Sequence, residues 1–383
     1  MRRLRIAVLN RVFAPTGGGA ERYSIALVEQ LAARHEIHVF AQQRNHDWPG
    51  VTYHKVSAPL LKPRWVNQLW YAAATWWATR RGFDVVHSHE NTWHGNVQTM
   101  HVMPVKYNLF HGRTGIARVL RWIKVVTSPR LLVYLLFERA RLAGNPQRNR
   151  VVVASTSLQE FFEATYPQMA RAPAVITPGV NPAAAPDPAQ KKVARATLGL
   201  PPAGACLLFV GHDYRKKGLA VLLNALARLP SDAFLAVVGN PAQIPFFRDQ
   251  SNRLGVASRV FFLGALADVS QAYVAADLLA HPTLEDTFAM VVLEAMAHGL
   301  PVVVSDARHC GISALLDNGL NALILNDPKD VQELSDLLRR VLEDAPLHQH
   351  LGGAAAAFAQ AHQWPEIARQ QEAIYASVCG EAD

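Results

Sequence analysis

Apolar residues along this chain fall into short β-branched runs, separated by longer stretches in which they recur at helical spacing. In the first half the runs predict strands over residues 5–9, 37–40, 51–56, 84–87, 97–101, 151–154 and 174–177. In the second half they predict strands over 206–210, 234–238, 260–263, 278–280, 302–305 and 322–325. Helical patterns lie between most of them, among them 20–34, 218–229 and 330–343. Strands that are apolar throughout, alternating with helices, imply parallel sheets covered on both faces. The pattern therefore predicts an α/β protein of two doubly wound, Rossmann-like domains facing a cleft. Ligands of such sheets bind at the carboxyl ends of the strands.

The run Asn181-Pro182-Ala183-Ala184-Ala185-Pro186-Asp187-Pro188 breaks both patterns, and the domain boundary is placed there, giving domains of 1–180 and 181–383. A last helical stretch, about 365–380 and preceded by Trp364, is expected to fold back on the first domain. A length of 383 residues suits two ordinary cores, and 50% hydrophobic with 18% charged residues excludes a disordered chain. The net charge of +8 is unevenly shared. Residues 1–180 hold 23 basic and 9 acidic side chains, and the remainder holds 15 and 21. A basic half serves a phosphorylated substrate, an anionic membrane surface or nucleic acid, and charge alone does not choose. Three scattered cysteines form neither a disulfide framework nor a zinc site. The short apolar run after Met1-Arg2-Arg3 stops at Asn10-Arg11, and no stretch reaches the length of a membrane span, so a cytoplasmic protein is expected.

Three motifs carry candidate chemistry. Gly17-Gly18-Gly19-Ala20-Glu21-Arg22 follows the first strand and opens a helix. Glycines there let backbone approach a ligand, and a helix N-terminus favours an anion, although a plain flexible turn accounts for the same residues. Gly211-His212-Asp213-Tyr214-Arg215-Lys216-Lys217-Gly218 places three cations at the carboxyl end of a strand. A pyrophosphate is their natural partner; a solvated turn is the alternative. The most informative run is His281 to Gly299. A helix is expected to begin near Thr287 with Asp286 as its cap, which puts Glu294 on a buried face beside Met290, Val291 and Ala297. An ionised carboxylate there needs a partner. A helix would separate Asp286 from Glu294 by about 12 Å, the scale of a nucleoside diphosphate sugar.

These residues resemble those of retaining glycosyltransferases of the GT-B fold, family 4, the group that includes bacterial lipopolysaccharide-core glucosyltransferases and mannosyltransferases. The resemblance covers nearly the whole chain and is most specific over 207–306. It implies a donor site on the second domain in which Asp286 and Glu294 stand at the two carboxylate positions of the family's Glu-x7-Glu motif. The first lies near sugar hydroxyls and the second at the ribose. Lys216 and Lys217 would clamp the diphosphate, Gly18 and Gly19 would approach it, and the backbone of Thr287, Phe288 and Ala289 would orient the sugar. His101 would stand close to the reacting sugar. Catalytic roles thus fall to His101, Lys216, Lys217 and Asp286. The first domain would take the acceptor.

Three positions depart from the family pattern: Asp286 replaces the usual Glu, Ala289 stands where glycine is common, and His212 stands where many members carry arginine. The implied activity is hexosyl transfer from a nucleoside diphosphate sugar, of the UDP-glucose type, to a saccharide or lipid-linked acceptor in cell-surface glycan synthesis. Neither cofactor nor metal is required. His87, His89 and His94 lack the ordered spacing of a zinc motif and are read as loop or acceptor-pocket residues. The basic half suits a phosphorylated acceptor or the inner face of a membrane. Two stretches, Trp65 to Arg81 and Arg113 to Arg141, mix aromatic or aliphatic residues with cations and fit either a lipid surface or an ordinary core with solvated cations. A sugar-nucleotide epimerase of the same architecture is the alternative enzyme, and a nucleic-acid-binding protein the alternative from another class. The latter is disfavoured by the acidic second half and the lack of a recognisable motif.

Overall fold

The computed structural model describes residues 2–15, 18–60, 62–143 and 148–380. The chain forms two compact units. Residues up to Pro178 together with those from Trp364 onward make the first, and Gly179–Gln363 the second.

The first unit contains strands β1 (Arg5–Leu9), β2 (Val12–Phe13), β3 (Glu36–Ala41), β4 (Gln43–Arg44), β5 (Val51–Lys55), β6 (Val85–Ser88), β7 (Val97–Met100), β8 (Arg150–Val153) and β9 (Ala174–Val175). Seven of them form one parallel sheet in the order β5-β3-β1-β6-β7-β8-β9. The second unit contains β10 (Cys206–Gly211), β11 (Phe234–Gly239), β12 (Val260–Gly264), β13 (Leu278–His281), β14 (Val302–Ser305) and β15 (Leu323–Leu325), in the order β12-β11-β10-β13-β14-β15. Both are doubly wound sheets with the expected topology. Every strand expected from the sequence lies in one of them. The additional pair, β2 with β4, is two residues long on each side and too short to leave a periodic signal.

Each sheet is covered because its strands are apolar on both faces. In the second unit, β10 and β11 pair from Cys206↔Phe234 to Gly211↔Gly239 and are buried almost throughout. Leu222, Leu226, Leu334 and Leu338, from the helices Leu219–Leu226 and Val331–Glu343, complete that core. Helix starts follow local chemistry. Asp330 caps Val331–Glu343 by accepting from Gln332 and Glu333, and Asp187 forms a capping box with Gln190 at the start of Pro188–Thr197.

The last helix, Trp364–Cys379, belongs to the first unit and packs on the helix Gly19–Ala32. Trp364 meets the Tyr23 ring edge-on at 5.6 Å, Glu372 bonds His35 at 2.9 Å and Arg34 at 2.8 Å, and the Tyr375 hydroxyl lies 2.7 Å from His87 Nδ1.

In a doubly wound sheet the strand order reverses beside the first strand, and the loops diverge there. That point lies between β10 and β13 in the second unit, and between β1 and β6 in the first. The basic turn leaves the carboxyl end of β10, and the segment from Pro282 leaves that of β13. Two motifs far apart in sequence therefore start from adjacent strand ends.

Candidate active site

In the second unit, the turn 212–218 is fixed from below. Tyr214 is fully buried against Phe209 and Phe247, and Asp213 Oδ1 accepts from the backbone N–H groups of Arg215 and Lys216 at 3.1 and 3.2 Å. Gly218 has φ +81°, and a Cβ there would fall 1.8 Å from the carbonyl oxygen of Pro282. Only glycine lets the turn lie this close to the Pro282 segment. The carbonyl of Lys216 then accepts from the Leu284 N–H at 2.8 Å and the Thr283 hydroxyl at 3.2 Å.

This backbone docking brings the predicted cations and carboxylates together. Lys217 Nζ lies 2.6 Å from Asp286 Oδ2 and donates to the carbonyl of Glu285 at 3.0 Å. Lys216 Nζ lies 3.1 Å from Glu285 Oε2, in a pair exposed on both sides and worth at most about 1 kcal/mol. His281, fully buried at the end of β13, places Nε2 3.3 Å from the same Asp286 oxygen. Burial alone would raise the carboxyl pKa of Asp286. Hydrogen bonding from His281 and the Lys217 ammonium outweigh it and hold the group well below the usual carboxylate range. For His281, burial outweighs the carboxylate and keeps the imidazole pKa below its ordinary value.

The helix after Asp286 begins later than the sequence pattern implies. Residues 286–289 lie outside it: Asp286 N–H donates to the His309 carbonyl at 2.8 Å, and its carbonyl accepts from Gly311 at 3.0 Å. Phe288 is held likewise by Ile312. The helix spans Met290–Ala297 and is preceded by Ala289 in the left-handed region at φ 72°. Asp286 is therefore not the cap of that helix; its Oδ1 accepts from Ala289 N–H at 2.9 Å within the turn. The separation of about 12 Å expected from continuous helix does not apply. Phe288 and Ala289 are buried, so these two positions face the core with their side chains and offer only backbone.

Glu294 sits on the second turn of the helix and is half-buried. The Tyr273 hydroxyl, from the helix Ser270–Ala275, donates to its Oε2 at 2.7 Å. Sequence reasoning missed both Tyr273 and His281. His281 left a signal, a polar residue closing an otherwise apolar central strand. Tyr273, 21 residues from Glu294, left none.

In the first unit, Gly18 and Gly19 stand at the start of the helix Gly19–Ala32, while Gly17 lies outside the described residues. The Gly18 N–H donates to Glu21 Oε2 at 2.7 Å, so a carboxylate of the same helix already meets this anion-favouring amide. His101 follows β7 and stacks on His89, with Nε2 3.0 Å from His89 Nδ1. His89 lies in turn against His87, ring centroids 4.2 Å apart, and the edge of Tyr23 meets His101 at 5.1 Å. Burial pushes the His101 pKa down to about 4. It takes His87 to about 3, helped by His101, and His89 well below its ordinary value. These rings are neutral, so one N–H of the pair donates to the other's lone pair. His87 belongs to β6 rather than to the loop after it, and hydrogen-bonds Thr99 and Tyr375. Among the described residues no group of three His, Cys, Asp or Glu is placed to hold a metal ion.

Lysines and carboxylates thus meet at the switch point of the second sheet, ahead of the helix Met290–Ala297. Comparison with known proteins identifies the family. Residues 17–184 match the domain described as Glycosyltransferase Family 4, and residues 190–358 match Glycosyl transferases group 1. The chain belongs to the glycosyltransferases built from these two domains. Lipopolysaccharide glucosyltransferase WaaG of Escherichia coli K12 is 29% identical over 223 residues, covering 56% of this chain and 58% of that protein. Phosphatidyl-myo-inositol mannosyltransferase of Mycobacterium tuberculosis H37Rv is 35% identical over 191 residues, 48% of this chain and 50% of that one. The chain thus spans between half and three-fifths of the length of these relatives. The crystal structure of WaaG superimposes with a TM-score of 0.79 at 23% identity, covering 97% of this chain and 99% of WaaG. That of Anabaena HepE with UDP-glucose gives 0.73 at 20%, covering 96% and 98%. The shared architecture is the GT-B fold.

Proposed function

We propose that this protein transfers a hexose from a nucleoside diphosphate sugar to a saccharide or lipid-linked acceptor, with retention at the anomeric carbon. The observation that carries the reading is the cluster of Lys216, Lys217, Asp286 and His281 at adjacent strand ends of the second unit, with Glu294 on the helix that follows. Lys216 and Lys217 would neutralise the departing diphosphate, the electrostatic contribution that usually dominates such catalysis. Glu294, oriented by Tyr273, would accept hydrogen bonds from the ribose hydroxyls. Asp286 and the backbone of 287–289 would face the sugar, and neutral His101 would bond a sugar hydroxyl. The bond from the anomeric carbon to the phosphate oxygen breaks as the acceptor oxygen attacks the same face, and the acceptor proton passes to the leaving phosphate.

A UDP-glucose-type donor is favoured by the relatives, since HepE is known with UDP-glucose and WaaG is named as a glucosyltransferase. An acceptor carrying negative charge fits the basic first half, and one relative is named for phosphatidyl-myo-inositol. We place the reaction at the cytoplasmic face of a membrane; no helix among the described residues is long and apolar enough to cross one. The reading needs no metal. Incubation with UDP-glucose and a lipopolysaccharide-core acceptor, with the product followed by proton NMR, tests it. An α-anomeric product from the α-linked donor supports retention. Interconversion of the donor without an acceptor would point to the epimerase.

A further inference from the structure

The two lysines of the basic turn are held differently. Lys217 is sheltered, with 20% of its side chain exposed, and its ammonium is tied twice, to Asp286 at 2.6 Å and to the carbonyl of Glu285 at 3.0 Å. Lys216 is 56% exposed and meets the Glu285 carboxylate, whose two oxygens lie 3.1 and 3.2 Å from Nζ. The third cation of the run is engaged elsewhere, because the Arg215 guanidinium lies over the Phe246 ring at 4.4 Å. Of the three, Lys216 is the one held only by an exposed carboxylate that a ligand can replace.

Glu285 is brought to Lys216 by backbone rather than by the wandering of a long side chain. The Leu284 N–H donates to the carbonyl of Lys216 at 2.8 Å, the Glu285 N–H donates to Thr283 Oγ1 at 3.3 Å, and Lys217 holds the Glu285 carbonyl. The residue is thus pinned on both sides of its Cα, while its carboxylate stays in solvent. Two acidic neighbours in sequence therefore behave in opposite ways. Asp286 is locked between Lys217 and His281, whereas Glu285 offers a negative charge that is free to part from its cation.

An exposed ion pair of this kind shifts an equilibrium by about fivefold at most, so a stronger anion displaces it. A diphosphate is such an anion, with more charge than one carboxylate, and a lysine ammonium meets it as a point charge. We propose that Glu285 competes with the diphosphate for Lys216: the ammonium passes from carboxylate to phosphate on binding and returns as the diphosphate leaves, while Lys217 keeps its place. Glu285 is then a residue that lowers the affinity of the site and loosens its grip on the diphosphate product. The proposal rests on the reading of Lys216 and Lys217 as the diphosphate clamp and adds to it the residue that tunes its strength.

The test is calorimetric titration of UDP and of inorganic pyrophosphate into the full chain at about 0.05 M and about 0.5 M salt. Glu285→Gln should bind both about three- to tenfold more tightly than the wild type at the lower salt, and within about twofold of it at the higher, because exposed charges are screened. Glu285→Ala should do the same, and both variants should melt with the wild type because the side chain is exposed. In a Lys216→Ala background, Glu285→Gln should change affinity by less than about twofold, since the cation it competes for is gone. Glu343→Gln, which removes the same charge at the C-terminus of the helix Val331–Glu343, should leave binding unchanged. Affinity that stays the same or falls in Glu285→Gln would overturn the proposal. So would an equal gain in the Lys216→Ala background or in Glu343→Gln, because the effect would then be one of net charge. UDP binding that is lost in Glu294→Ala yet indifferent to Glu285 would overturn this proposal alone and leave the donor site standing. Absence of binding of UDP and pyrophosphate in all of these proteins would overturn both.

Discussion

Lys217 Nζ and Asp286 Oδ2 lie 2.6 Å apart, joining two loops 69 residues distant in sequence. The contact follows from topology, because β10 and β13 are neighbours and their carboxyl-terminal loops emerge side by side. It is also mostly sheltered, with about a fifth of each side chain or less in contact with solvent. Each charge is thereby held by the other, and removing either leaves its partner short of a counter-ion.

The depressed pKa of Asp286 makes this contact pH-dependent. Its contribution is fully present above the unfolded carboxylate value of about 4 and is lost as pH falls through the lower folded value. Urea unfolding of the wild type between pH 5 and pH 2 should therefore fall off more steeply than that of Asp286→Asn. Near pH 7 the variant should be about 1–2 kcal/mol less stable.

Gly218→Ala should be strongly destabilising, by about 3 kcal/mol or more, because the new Cβ meets the Pro282 carbonyl and must adopt a left-handed φ. Thermal melting checks this, and the loss of docking between the basic turn and the Pro282 segment should reduce nucleotide binding in parallel.

The strands were legible because a short apolar, β-branched run bounded by turn residues suits a buried parallel strand and little else. The strands 5–9 and 302–305 fall where that pattern puts them. The start of the helix at Met290 was not legible. Continuous helical spacing from Thr287 is present, but pairing of 286–288 with 309–312 takes the backbone hydrogen bonds first. The candidate cations and carboxylates were visible as charges at strand ends. Of the residues that orient them, His281 was visible as a polar residue closing an apolar strand, whereas Tyr273 acts through a tertiary contact that no local pattern encodes. The helix spanning Gly115–Val126 illustrates the same limit, since periodicity reports its apolar stripe but not that Ile116, Val119, Leu120 and Ile123 face solvent.

Burial of neutral histidine in the first unit has its own pH signature. Burial lowers the His94 pKa to about 4, and neither ring nitrogen has a hydrogen-bond partner. Stability tied to a neutral ring is present above the unfolded value of about 6.5 and is lost as pH falls toward 4. His94→Leu should be within about 0.5 kcal/mol of wild type at pH 8 and about 1–2 kcal/mol more stable at pH 5. Equilibrium unfolding at the two pH values gives the comparison.

Tyr273→Phe isolates the orientation of Glu294. Loss of one hydroxyl hydrogen bond should cost about 1 kcal/mol of stability and reduce UDP affinity about fivefold, leaving the carboxylate itself in place.

The most direct test is calorimetric titration of UDP, GDP and ADP into the wild type and into Glu294→Ala. One nucleoside diphosphate should bind in the micromolar range and lose at least tenfold in affinity in the variant, which would locate the donor on the second unit and identify its base. Absence of binding for all three, or affinity indifferent to Glu294, would contradict the donor site and with it the proposed transferase activity.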